Sequence, residues 1–114
     1  MEEYCSYCKK SDFEKWEKGK TYVGLDLHHN PPEFLFGFGE TWEGKRYYLC
    51  RKCHKELHQQ IKIILNRVVG TMKYCNSEDW LVKKMSIAQM REARIEVWEF
   101  TEKWIKRGKN GDTR

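Results

Sequence analysis

The stretch LCRKCHKELH, Leu49–His58, holds two cysteines three residues apart and two histidines four apart. A CxxC turn lets two thiolates reach one ion while N–H groups of the turn donate to the sulfurs. Apolar residues at Leu57, Ile61, Ile64, Leu65 and Val68 recur at helical spacing, so a helix is expected from His54 onward. His54 and His58 then lie one turn apart on one face and can bind the same ion.

Working outward, a second CxxC, Cys5 and Cys8 in CSYC, precedes this one by forty-one intervening residues. Two such turns, with Cys5, Cys8, Cys50 and Cys53 as ligands, make the closed four-cysteine shell that structural zinc prefers. Zinc binding energy is then folding energy, which a 114-residue chain with a modest core can use. A redox-active CxxC fits less well, because there are two copies and no thioredoxin-like βαβ pattern. The fifth cysteine, Cys75, reads as a small buried hydrophobe or a partly exposed thiol.

Between the knuckles, TYVGLDLHH alternates at Tyr22, Val23, Leu25 and Leu27, which predicts a strand ending at the His pair. Asn30-Pro31-Pro32 stops it, since proline cannot continue a ladder. FLFGFGETWEG, with Phe34, Phe36, Phe38 and Trp42, reads as an extended loop. It is expected to fold back over the zinc unit; stacking on unstacked bases and a dimer contact are the alternatives. KRYYLC predicts a second strand. Adjacent strand side chains point to opposite faces, so His28 and His29 cannot both serve the ion of His54 and His58. One ligand and one free imidazole is the division a metal-assisted hydrolase needs.

CxxC, LDLHHNPP and LCRKCHKELH, in that order over roughly residues 5–65, are similar to the HNH endonuclease family. That resemblance implies a small α+β protein with a ββα-metal (His-Me finger) unit and a four-cysteine structural zinc. It also implies hydrolysis of DNA phosphodiester bonds by a His-activated water and a single divalent ion. His29 matches the family's general base. His28, His54 and His58 match metal-ligand positions, and Pro31 and Pro32 fit the proline that follows the base. The chain departs from the family at Lys45, where an asparagine that braces the loop is usual, and Asn30 is not counted as its replacement. Three imidazoles suit Zn2+, Ni2+, Co2+ or Mn2+ better than Mg2+, which prefers oxygen ligands. Two alternatives stay open: an inactive HNH-like zinc module that binds nucleic acid or protein, and one expanded structural site that recruits histidines.

Net charge is +5, and its distribution is uneven. Residues 1–58 carry ten Lys/Arg and ten Asp/Glu, whereas residues 59–114 carry twelve against seven. The chain therefore divides into a zinc-stapled unit over 1–70 and a basic helical extension over 71–114, frayed from about 109. The basic half suits a polyanion, with double-stranded DNA the expected partner. A helix start is read in Asn76-Ser77-Glu78-Asp79, with its acidic residues in the first turn, and a second, from the capping-box pattern SIAQ, at Ser86; the latter helix runs to Gly108. Ile87, Met90, Val97, Trp98, Thr101, Trp104 and Ile105 form its apolar stripe, to be covered by the zinc unit or by a twin chain in a homodimer. Arg91, Arg94, Lys45 and Arg46 are candidate nucleic-acid contacts; for Arg94, a packed stem with its head meeting a glutamate is preferred. No apolar run approaches the ~20 residues of a spanning helix, and MEEYCSYCKK lacks the order of a signal peptide, so no membrane role and an intracellular location are expected.

Overall fold

The computed structural model describes residues 4–9, 25–37 and 39–108. Tyr22, Val23, Phe38 and the tail from 109, named above, lie outside the described residues. Strand β1 (Leu25–Asn30) pairs antiparallel with β2 (Lys45–Cys50), with Leu25 opposite Cys50 and Asn30 opposite Lys45. Helices α1 (Arg51–Val69), α2 (Glu78–Lys83) and α3 (Ile87–Arg107) follow. The protein is thus a small mixed α+β chain.

The connection between the strands is not extended throughout. Glu33–Leu35 forms a turn of 3₁₀ helix that drives Leu35 fully into the core. Gly44 ends this connection where a Cβ would meet the Asn30 carbonyl oxygen at 2.2 Å, so only glycine fits beside β1. The loop does fold back, its 3₁₀ turn against α2 and α3 and Trp42 beside His29.

Helix α1 starts three residues earlier than the periodicity indicates. Cys50 is its N-cap, its sulfur accepting from the Cys53 N–H, so the metal knuckle and the first helical turn are one structure. All five apolar positions read from the sequence are buried, Leu57, Ile61 and Leu65 completely. At its far end Gly70 takes a left-handed conformation (φ 80°) and closes the helix.

Asn66 makes the turn that follows. Its amide donates to the carbonyls of Lys62 (2.8 Å) and Cys75 (2.9 Å), while its oxygen accepts from Thr71 Oγ1 and the Cys75 N–H. One buried side chain therefore satisfies backbone groups that a loop of this shape would otherwise orphan. It brings the chain back so that α2 reaches the N-terminal half of α1. Cys75 is half-buried beside this network.

Helix α3 begins with the predicted capping box at Ser86 and Gln89 and is closed by Gly108. Its buried residues are Ala93, Val97 and Thr101, and the helix packs on α1. Ile87, assigned to the apolar stripe, is instead 69% exposed, because it lies roughly 80° around the helix from the buried face centred on Val97. At the other end Trp104 stacks on Tyr7 at 3.7 Å and 3°, tying the first knuckle to α3. None of the described helices is long and apolar enough to cross a membrane.

Candidate metal centres

The four cysteines meet although forty-one residues separate the two pairs. Their sulfurs lie within 4.8 Å of one another, and those of Cys8 and Cys50 are 3.7 Å apart. Sulfurs placed at ~2.3 Å around a tetrahedral zinc would be separated by about 3.8 Å. In each knuckle the second cysteine's N–H points at the first one's sulfur at 3.4 Å. The Ser6 N–H donates to the Tyr48 carbonyl at 2.7 Å and fastens the first turn along β2.

The thiol chemistry fits the same occupant. Burial opposes ionisation of Cys5, yet donors at Cys8, Cys50 and Tyr7 together outweigh it and bring its thiol down to about 7. Burial pushes the neighbouring Cys53 thiol up, with the hydrogen bond to Cys50 and the charges of Cys5 and Cys50 adding to the effect. A cation at the centre of the four sulfurs would offset the opposition to ionising Cys53. No disulfide involves any of the five cysteines. The four-cysteine group could hold a metal ion such as zinc.

A second group forms on the inner face of the hairpin, where α1 covers it. His28 from β1 meets His54 and His58 from α1, with ring centroids 5.1, 5.3 and 4.7 Å apart pairwise and one ligand nitrogen from each within 4.8 Å of the others. Two carboxylates stand behind it. Asp26 Oδ2 is 3.1 Å from His54 Nδ1, and Glu78 Oε2 is 2.7 Å from His58 Nδ1. Imidazoles that donate from Nδ1 have Nε2 left as a lone-pair donor, the arrangement that orients histidine ligands. His28 is 2% exposed and its Nε2 has no partner among the described residues. Burial, followed by the positive charges that His58, His54 and His29 would carry, lowers its pKa to about 3. At neutral pH it is a buried neutral base with a lone pair to give.

His29 takes no part in this group. The alternation of β1 turns it to the outer face, as the strand argument required. There its ring meets Trp42 edge-on at 5.0 Å, with Glu33 Oε2 4.0 Å from Nε2. Trp42 is itself held by a 2.6 Å bond from Nε1 to the Pro31 carbonyl.

The candidate cations are dispersed. Arg94 pairs with Glu40 at 3.2 Å and lies over the Phe36 ring, so its head meets a glutamate as preferred above. Arg91 is exposed and contributes to the field that lowers the Glu40 carboxyl, after the Gly37 N–H and Arg94. Lys45 pairs with Glu102 at 3.6 Å. Arg46, opposite His29 in the register, lies 4.8 Å over Trp42.

The site also contains residues that sequence reasoning does not nominate. Asp26 carries a usable signal, because residues two apart on a strand share a face with one another, here with His28. Glu78 carries none beyond a helix-start role, since its contact with His58 spans twenty residues. Asn30, given no role from the sequence, is buried; its amide donates to Glu102 at 3.0 Å, and Tyr47 donates to the same carboxylate at 2.7 Å. Compared with protein-family models, curated proteins and solved structures, the chain matches none.

Proposed function

We propose that the protein is a metal-dependent endonuclease of the HNH type, its β1–β2–α1 hairpin and helix serving as a ββα-metal unit. The observation that carries this reading is the convergence of His28, His54 and His58, backed by Asp26 and Glu78, one residue from a histidine left outside the cluster. A divalent ion held by the three imidazoles would supply a Lewis acid for the phosphodiester. Zn2+, Ni2+ or Mn2+ suits the ligand set better than Mg2+.

The chain's own groups have separable tasks. Asp26 and Glu78 fix the ring planes and tautomers of His54 and His58. His28 stays neutral through burial and so remains a ligand across the physiological range. His29, on the opposite face, accepts the proton of the attacking water. Trp42 limits the rotation of that ring, and Glu33 lies near its Nε2. The four cysteines hold a structural zinc that clamps β2 and α1 to the first knuckle. DNA is the expected substrate, and an intracellular setting matches the reduced thiols.

A second reading, a zinc module that binds without cleaving, is favoured by Lys45. It stands where the family has asparagine, and its ammonium is paired to Glu102. Plasmid nicking decides between them. Protein carrying one zinc in the cysteine site is supplied with Mn2+, Ni2+, Zn2+ or Mg2+ beside His29→Ala. The expected result is nicking that His29→Ala reduces by two orders of magnitude or more, within the range of general-base catalysis of about 10²–10⁴. Failure of every ion to support nicking by a folded, zinc-loaded protein leaves the binding module.

A further inference from the structure

The three imidazoles of the histidine group are not held equally. His54 and His58 sit one turn apart on α1, so one helix sets their separation, and Asp26 and Glu78 orient their rings. His28 is the one member from β1. Among the described residues no carboxylate stands behind it, and its Nε2 has no partner. Whether the three ligand nitrogens meet therefore depends on where the hairpin lies relative to α1.

Two residues beside His28 fix that position, and both end on one carboxylate of α3. Asn30, fully buried and on the same face of β1 as His28, donates to Glu102 Oε2 at 3.0 Å and to the Trp98 carbonyl at 3.4 Å. Tyr47, opposite His28 in the register, donates its hydroxyl to the same Glu102 oxygen at 2.7 Å. Burial, then the hydrogen bond and charge of Glu102, push the Tyr47 hydroxyl up to about 12, so it stays a donor. Lys45, opposite Asn30, adds a looser ion pair at 3.6 Å through the other oxygen.

We propose that Glu102 is a positioning residue for the histidine metal site, holding the hairpin where His28 reaches the ion of His54 and His58. The inference rests on the metal-site part of the reading above and extends that site into α3. Cohesion of α3 with the rest of the chain has its own source in Ala93 and Val97, both fully buried. Hydrogen bonds, by contrast, are directional and set position as well as contact. Asn30 also carries a cost, because its Oδ1 is buried without a partner among the described residues. An apolar residue of the same size would avoid that cost, so stability alone does not account for an amide there. Its bond to Glu102 spans 72 residues and that of Tyr47 spans 55, and together they tie both strands beside His28 to one helix.

A second carboxylate of α3 supplies the control. Glu96 has the same side-chain exposure as Glu102, 27%, but pairs with Arg67 on α1 and not with the hairpin.

The test reads metal affinity, not cleavage. Full-length protein with zinc in the cysteine site is titrated with Co2+, whose visible absorption bands report binding by the histidines. Glu102→Ala should weaken Co2+ binding about tenfold, the lower end of the range for residues that support metal ligands. Glu102→Gln should restore affinity to within about threefold of the parent, because one oxygen accepts both neutral donors and an amide oxygen can take its place. Glu96→Ala should leave affinity unchanged. Parent-like affinity in Glu102→Ala, or equal losses in Glu102→Ala and Glu102→Gln, overturns the proposal. So does a matching loss in Glu96→Ala, which would mark a general loosening of α3. If Glu102→Ala does not fold, Tyr47→Phe takes its place, since it removes one hydroxyl and keeps the ring. Affinity at least about threefold below the parent then supports the proposal, and unchanged affinity overturns it. A parent that takes up no Co2+ at the histidines sinks the metal-site reading and this inference with it. A parent that binds Co2+ regardless of Glu102 sinks this inference alone.

Discussion

The cysteine group and the histidine group lie in the same hairpin-and-helix unit and are assembled by different means. Each cysteine pair is local: a four-residue turn sets both sulfurs, and in the second pair the turn is also the first turn of α1. The histidine group draws one imidazole from β1, two from α1, and its supporting carboxylates from β1 and α2. A site made from turns needs only that two turns meet. A site made from elements needs the strand register, the helix phase and the return of α2 to be right together. The first group is therefore expected to govern folding, and the second to report on how well the fold is made.

The largest test of that contrast is Cys53→Ser. It removes a fully buried ligand and the knuckle beneath the α1 N-terminus. Structural zinc contributes about 10–16 kcal/mol in small zinc peptides, so zinc content should fall and the cooperative melt by circular dichroism should disappear. His58→Ala should keep both, losing only the ion proposed for the three histidines. An intact cooperative melt in zinc-free Cys53→Ser would show that the helical core alone carries the fold.

Next comes acid. His28 titrates near 3 when folded and at about 6.5 when unfolded. Between those values the unfolded chain holds a proton that the folded chain refuses, so stability rises with pH across this window and is level, for this group, above it. With the histidine site empty, the loss on acidification from 6.5 towards 3 should reach a few kcal/mol. Zinc release also contributes there, so the slope is to be compared with that of His28→Gln in matched urea melts. Equal slopes would remove His28 as the cause.

Smaller effects separate the supports from the ligands. If the proposed sites hold, Glu78→Gln should weaken metal binding at the three histidines about 10–100-fold by calorimetric titration and leave zinc binding by the cysteines unchanged. Asp26→Asn should act alike through His54, and a variant that loses both ions would show the two sites to be one coupled unit. Smallest is Ser77→Ala, which deletes the side-chain cap on the Trp80 N–H. It should cost about 1 kcal/mol in α2 and reach the histidine site only as a few-fold loss of affinity, through Glu78.

Several features are open to reading along the chain because their causes are local. Two CxxC spacings, the capping box at Ser86 and the apolar phase of α1 each depend on residues within a turn or two. His28 and His29 parting to opposite faces follows from the two-residue period of a strand. The start of α1 escapes its apolar periodicity because the Cys50 sulfur, read from its spacing as a candidate metal ligand, also caps the helix. Ile87 leaves the stripe because the face that packs is centred on Val97, with Ala93 and Thr101, and Ile87 falls at its edge. Asp26 is legible in principle from its spacing to His28.

What the sequence determined by itself is the donor set: four thiols in two turns, two imidazoles one helical turn apart, and two more that a strand must separate. Only the tertiary structure decided which carboxylates stand behind His54 and His58, and that Lys45 and Arg94 are held by Glu102 and Glu40. The physical reason is range. Turn and helix geometry act over a few bonds, whereas Glu78 reaches His58 only after Asn66 has turned the chain, and Glu102 reaches Lys45 only after α3 has packed on α1.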